Sequence, residues 1–88
     1  MPGFEKFGAE ESKHINDVMQ TGIFMRYGFD GPRKGIWKAK ELEQAICHKL
    51  GCNYAQLVSS GTAALTTAMA SLGIGYGDEV IMPTFTFV

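Results

Sequence analysis

The stretch AQLVSSGTAALTTAMASLGIGYGDEVIMP, residues 55–83, decides the fold. Residues 55–58 (Ala-Gln-Leu-Val) are short and apolar, as a buried strand would be. A Ser-Ser-Gly turn follows. Leu65, Ala68, Met69 and Leu72 then fall on one helical face, and Gly73 stops the helix. Gly75, Gly77 and Asp78 make a turn, residues 79–82 (Glu-Val-Ile-Met) read as a second strand, and Pro83 closes it. Strand, glycine turn, helix, turn, strand is the order of an α/β protein with a mainly parallel sheet flanked by helices.

Upstream, Ile15, Val18 and Met19 share a face within Ala9–Thr21, so this segment reads as a helix. Glu10 and Glu11 near its start suit the positive end of the helix dipole, and Gly22 suits its stop. GIFMRYGFDGPRKG, residues 22–35, breaks every regular pattern yet carries Phe24, Met25, Tyr27 and Phe29, which suits a loop that packs or lines a site. A second helix runs from about Trp37 to Leu50, with Leu42, Ile46 and Leu50 at i+4 spacing and Gly51 as its stop. The chain thus divides into residues 1–36, a helix and an aromatic, basic loop, and residues 37–88, the beginning of a larger α/β domain. Arg33, Lys34, Lys38 and Lys40 cluster around Trp37. A solvated helix start competes there with an anion site or a nucleic-acid patch.

Composition narrows the classes. The 88 residues are 45% hydrophobic and 19% charged, with net charge −1, which suits a globular chain rather than a disordered tail. The charge balance argues against nucleic acid as a partner. No apolar run nears the roughly 18 residues that span a bilayer, and the acidic, mixed start does not resemble a signal peptide. The expectation is a cytoplasmic protein with no membrane partner. In a continuing helix the step from Cys47 to Cys52 would rise about 7.5 Å, beyond disulfide range, so both cysteines are expected to stay reduced. Cys47, His48 and Cys52 lack the four ligands of structural zinc, and no metal is expected.

The chemistry sits at residues 59–62. A helix that starts right after a strand and a glycine presents free N–H groups and partial positive charge at its first turn. Gly61 admits a ligand close to the backbone, and Thr62 adds a hydroxyl. Gly61, Thr62 and Ala63 therefore make a candidate phosphate cradle. The competing reading is that Ser59 or Ser60 merely caps the helix and Gly61 merely eases packing. Neither G-x-x-x-x-G-K-[ST] nor G-x-G-x-x-G is present, so a P-loop and a dinucleotide fold have no support.

Residues 59–88 carry Ser-Gly-Thr-Ala-Ala-Leu, then Gly-Asp-Glu-Val, then Pro and Thr-Phe-Val, in that order and spacing. This closely resembles the nucleotide-sugar aminotransferase family that depends on pyridoxal 5'-phosphate (PLP), the DegT/DnrJ/EryC1/StrS family. The resemblance extends through the Glu41–Leu50 helix and Gly51 over nearly the whole chain. It implies the N-terminal fragment of the large domain of a type I PLP-dependent aminotransferase fold. It further implies that Thr62 and the amides of Gly61 to Ala63 hold the PLP phosphate, that Phe87 stacks on the pyridine ring, and that the enzyme is a homodimer. The reaction implied moves an amino group from an amino donor, glutamate, to a keto sugar. MPGFEKFG, RYGFD at 26–30 and Trp37-Lys38 resemble one branch, the 8-amino-3,8-dideoxy-manno-octulosonate transaminases of lipopolysaccharide biosynthesis.

In that family the Schiff-base lysine and the pyridinium carboxylate lie further along than Val88. Lys6, Lys13, Lys34, Lys38, Lys40 and Lys49 all lie in polar or helical surroundings, whereas such a lysine needs desolvation or a cationic neighbour. No catalytic residue is therefore assigned, and residues 1–88 alone are expected to be inert. The hydrophobic ending TFTFV reads as the front of a longer protein, and an isolated piece is expected to be molten or aggregating. Some relatives carry histidine in place of the lysine and dehydrate sugars, so a dehydratase stays open. So does a non-catalytic module that binds a phosphate or a protein partner. Arg26 and Tyr27 are candidates for the carboxylate of an acid-sugar substrate, with a surface ion pair as the alternative for Arg26.

Overall fold

α1 covers Ala9–Thr21 in a computed structural model that describes residues 3–86. The Glu11 carboxylate accepts the Gly8 N–H at 2.7 Å, which satisfies a donor that the helix start leaves free. At the other end Gly22 takes φ 66°, and its N–H reaches the carbonyls of Val18 and Met19. A 3-10 turn over Phe4–Lys6 precedes α1. The short α2, Asp30–Arg33, lies between two left-handed non-glycine residues, Phe29 at φ 61° and Lys34 at φ 52°. α3 spans Lys38–Leu50 and ends at Gly51, φ 66°. Lys38 Nζ contacts Asp17 of α1 at 3.1 Å and Glu41 of its own helix at 3.3 Å. These elements belong to one unit of the chain, Met1–Gln56.

The second unit, Leu57–Val88, holds α4, Gly61–Ser71. Its end is a Schellman motif: Gly73 at φ 73° donates to the Ala70 carbonyl, and Ile74 donates to that of Met69, both at 3.0 Å. In the next turn Asp78 Oδ2 accepts the Gly75 N–H at 2.8 Å.

The expected α/β fold with its mainly parallel sheet is not what this chain forms. The described residues are helices, turns and irregular backbone, with no strand. Residues 55–58 and 79–82 have the apolar composition of strands, but a strand exists only by pairing its N–H and C=O groups with a neighbour. Among the described residues neither segment is paired into a strand. Ile81 is fully exposed, and Val80, Met82 and Phe85 are exposed as well.

The helical periodicities hold, yet they do not generate a core. Among the described residues no hydrophobic side chain is buried. Ile15, Met19, Leu42, Leu50, Leu65 and Leu72 are all exposed. An apolar stripe becomes a core only when a second apolar surface covers it. The buried described residues are instead charged: Arg33, 4% exposed, and Glu43, 9% exposed.

The cysteines also depart from the straight-helix expectation. α3 stops at Leu50, and the left-handed Gly51 turns the chain back so that the Cys52 N–H reaches the Cys47 carbonyl at 3.1 Å. Both thiols are free.

Candidate functional site

The first turn of α4 carries the candidate phosphate donors. Ser60 is extended, φ −160° and ψ 163°, and its hydroxyl oxygen accepts the Ala63 N–H at 3.1 Å. Its carbonyl accepts the Ala64 N–H at 3.0 Å. Ser60 thus caps the helix, and the Ala63 amide already has a partner. The amides of Gly61 and Thr62 have no acceptor among the described residues, and neither does the Thr62 hydroxyl. The Thr62 carbonyl accepts the Thr66 hydroxyl at 3.0 Å, inside the helix. A Cβ at Gly61 would meet nothing within 4 Å, so packing within the chain does not call for glycine there. Two free amides and a hydroxyl at the positive end of a helix fit the oxygens of a phosphate dianion. Phe87 lies outside the described residues.

Arg26 and Tyr27 stand elsewhere, in the other unit. Arg26 Nη2 donates to Glu43 Oε1 at 2.6 Å, with the two side chains 30% and 12% exposed. The partly buried pair is therefore the arrangement that Arg26 adopts. Glu43, first through its hydrogen bond, pushes the Arg26 guanidinium up from its ordinary value. Arg26 Nε is buried without a partner, and the exposed Tyr27 ring lies 6.0 Å from the guanidinium.

Arg33 is the residue whose role the sequence did not show. Its Nε donates to the Gly28 carbonyl at 2.8 Å, and its Nη2 to that of Met25. The guanidinium lies 4.5 Å from the centroid of Trp37, and Lys40 lies 5.3 Å from the same ring. The basic cluster is thus divided: Arg33 is a buried clamp on the aromatic loop, not a solvated charge. Phe24, Arg26, Arg33, Ile36, Trp37 and Lys38 line a cleft of about 230 Å³.

Lys38 is held by two carboxylates. Hydrogen bonding to Asp17, the largest effect, and to Glu41 raises the Lys38 ammonium above its ordinary value. That is the wrong direction for a Schiff-base lysine, which must shed its proton near neutrality. Among the described residues no group of three or more His, Cys, Asp or Glu side chains is placed to hold a metal ion. No helix among them is long and apolar enough to cross a membrane.

The family model described as the DegT/DnrJ/EryC1/StrS aminotransferase family matches residues 5–88. That span takes in α1, the Arg33 clamp, α3 and the open turn at Gly61. The family is in general PLP-dependent, and a helix start offering donors to a phosphate agrees with that requirement. The chain belongs to the DegT/DnrJ/EryC1/StrS aminotransferase family.

Proposed function

We propose that this chain supplies the phosphate-binding turn of a PLP-dependent sugar aminotransferase. The enzyme moves the amino group of an amino acid, glutamate, to a keto sugar. The free donors at Gly61 and Thr62, within a span matched by the aminotransferase family, support this reading. When bound, PLP supplies the electron sink for amino transfer. The residues of this chain hold and orient it. The Gly61 and Thr62 amides and the Thr62 hydroxyl take the phosphate oxygens, and Ser60 keeps the turn formed by holding the Ala63 amide. By the family resemblance, Phe87 would supply an aromatic face for the pyridine ring, a contact worth about 0.5–1.5 kcal/mol beyond buried area.

The narrower assignment is 8-amino-3,8-dideoxy-manno-octulosonate transaminase, a homodimeric cytoplasmic enzyme of lipopolysaccharide biosynthesis. It rests on the strings at residues 1–8, 26–30 and 37–38. A substrate carboxylate at Arg26 would share that guanidinium with Glu43, using the donors that the 2.6 Å contact leaves over.

The test is a PLP titration of the wild type and Thr62→Ala. A hydrogen bond to a charged oxygen is worth about 1.5–3 kcal/mol, so Thr62→Ala weakens binding about ten- to a hundredfold. Equal binding by the two proteins, or binding by neither, removes the role assigned to Thr62. Residues 1–88 alone, mixed with PLP, glutamate and a keto sugar, give no product above a blank. Turnover would mean that a lysine among these residues does the chemistry.

A further inference from the structure

We infer that Cys47 and Cys52 form a paired dithiol, which a small-molecule disulfide closes into an intramolecular disulfide across the C-terminal cap of α3. The backbone makes the pairing. With Gly51 as the left-handed residue, Cys47 lies in the last turn and Cys52 is the second residue past the end. These are the two positions whose side chains this type of helix cap brings together. The 3.1 Å bond from the Cys52 N–H to the Cys47 carbonyl fixes the turn, and the turn removes the rise that a straight helix would place between the two residues. Cys52 is exposed and Cys47 half-buried, so an incoming reagent meets Cys52 first. Desolvation, and then the neighbouring Cys52, push the Cys47 thiol up, which keeps it protonated until the second step.

The chemistry is thiol–disulfide exchange with oxidised glutathione. The Cys52 thiolate attacks one glutathione sulfur. The S–S bond breaks, and one glutathione leaves as a thiolate that takes up the proton Cys52 gave up. Cys47 then loses its proton, and its thiolate attacks the Cys52 sulfur of the mixed disulfide. The second glutathione leaves and takes that proton. Both protein thiols are oxidised, and one glutathione disulfide is reduced to two thiols.

The full chain is equilibrated in glutathione redox buffers of increasing oxidised fraction, quenched with acid and read by intact mass. The wild-type monomer loses two hydrogens, and dithiothreitol restores them. Cys47→Ser stops at a glutathione adduct on Cys52. Gly51→Ala, which opposes the left-handed turn, lowers the closure constant at least about fivefold. Wild type that retains glutathione adducts without closing, or that links into dimers, overturns the inference. Closure equally favourable in Gly51→Ala overturns the part assigned to the turn.

Discussion

Arg33 holds a loop that would not hold itself. Phe29 and Lys34 flank α2 with left-handed backbone, and each such L-residue costs about 1–2 kcal/mol, or about 2–4 together. The guanidinium returns two charged hydrogen bonds, to Gly28 and Met25, worth about 1.5–3 kcal/mol each. The ring contact with Trp37 adds about 0.5–2 kcal/mol. Met25 and Gly28 are exposed, so water replaces part of what the carbonyls lose when Arg33 is removed. We therefore set the local cost of Arg33→Met at about 3 kcal/mol, a factor of about a hundred in the opening equilibrium. The assay is amide hydrogen exchange at Arg33 and Ile36, whose N–H groups bond the Phe29 and Arg33 carbonyls, each at 2.9 Å. Exchange at both sites accelerates about a hundredfold, and emission from Trp37, the chain's one tryptophan, shifts to the red. Arg33→Lys recovers part of the protection, because a lysine keeps the charge but loses the fork. Unchanged exchange and unchanged emission in Arg33→Met would refute the clamp.

Two further outcomes follow from the helix starts. The Glu11 carboxyl lies below its ordinary value of 4.5, through hydrogen bonds to its own amide first and then to that of Gly8. Its support of α1 is thus complete above that value and is lost as pH falls through the lower, folded value. Glu11→Gln flattens this acid-side loss of α1 helicity in circular dichroism, and an identical acid profile in the variant would contradict the assignment. Ser60→Ala removes the cap on Ala63 at a cost of about 1 kcal/mol to α4, read as faster exchange at the Ala63 amide. Equal protection there would show that the hydroxyl does no capping.

The helices were legible because their determinants are local. Apolar spacing and the glycine stops placed α1 at Ala9–Thr21, and Gly51 marked the end of α3. Ser60 caps α4 as one of the two readings of that turn allowed, while the amides of Gly61 and Thr62 stay open as the other requires. The strands were not legible, because pairing is a property of two segments. Residues 79–82 carry β-prone side chains but cannot supply their own partner. The burial of Arg33 depends on carbonyls five and eight residues away brought round by a loop, and no periodicity reports that. The cysteine pair was within reach of the sequence. Gly51 is a helix stop by sequence, and the left-handed geometry of such a stop returns the Cys52 amide to the Cys47 carbonyl.

The most direct measurement is on the amides themselves. Proton–nitrogen correlation spectra of the labelled protein are recorded as PLP is added, with pyridoxal, which lacks the phosphate, as the control. PLP should move the resonances of Gly61 and Thr62 most, and pyridoxal should leave them in place. Shifts of equal size with both compounds, or shifts confined to residues away from the start of α4, would contradict a phosphate held at this turn.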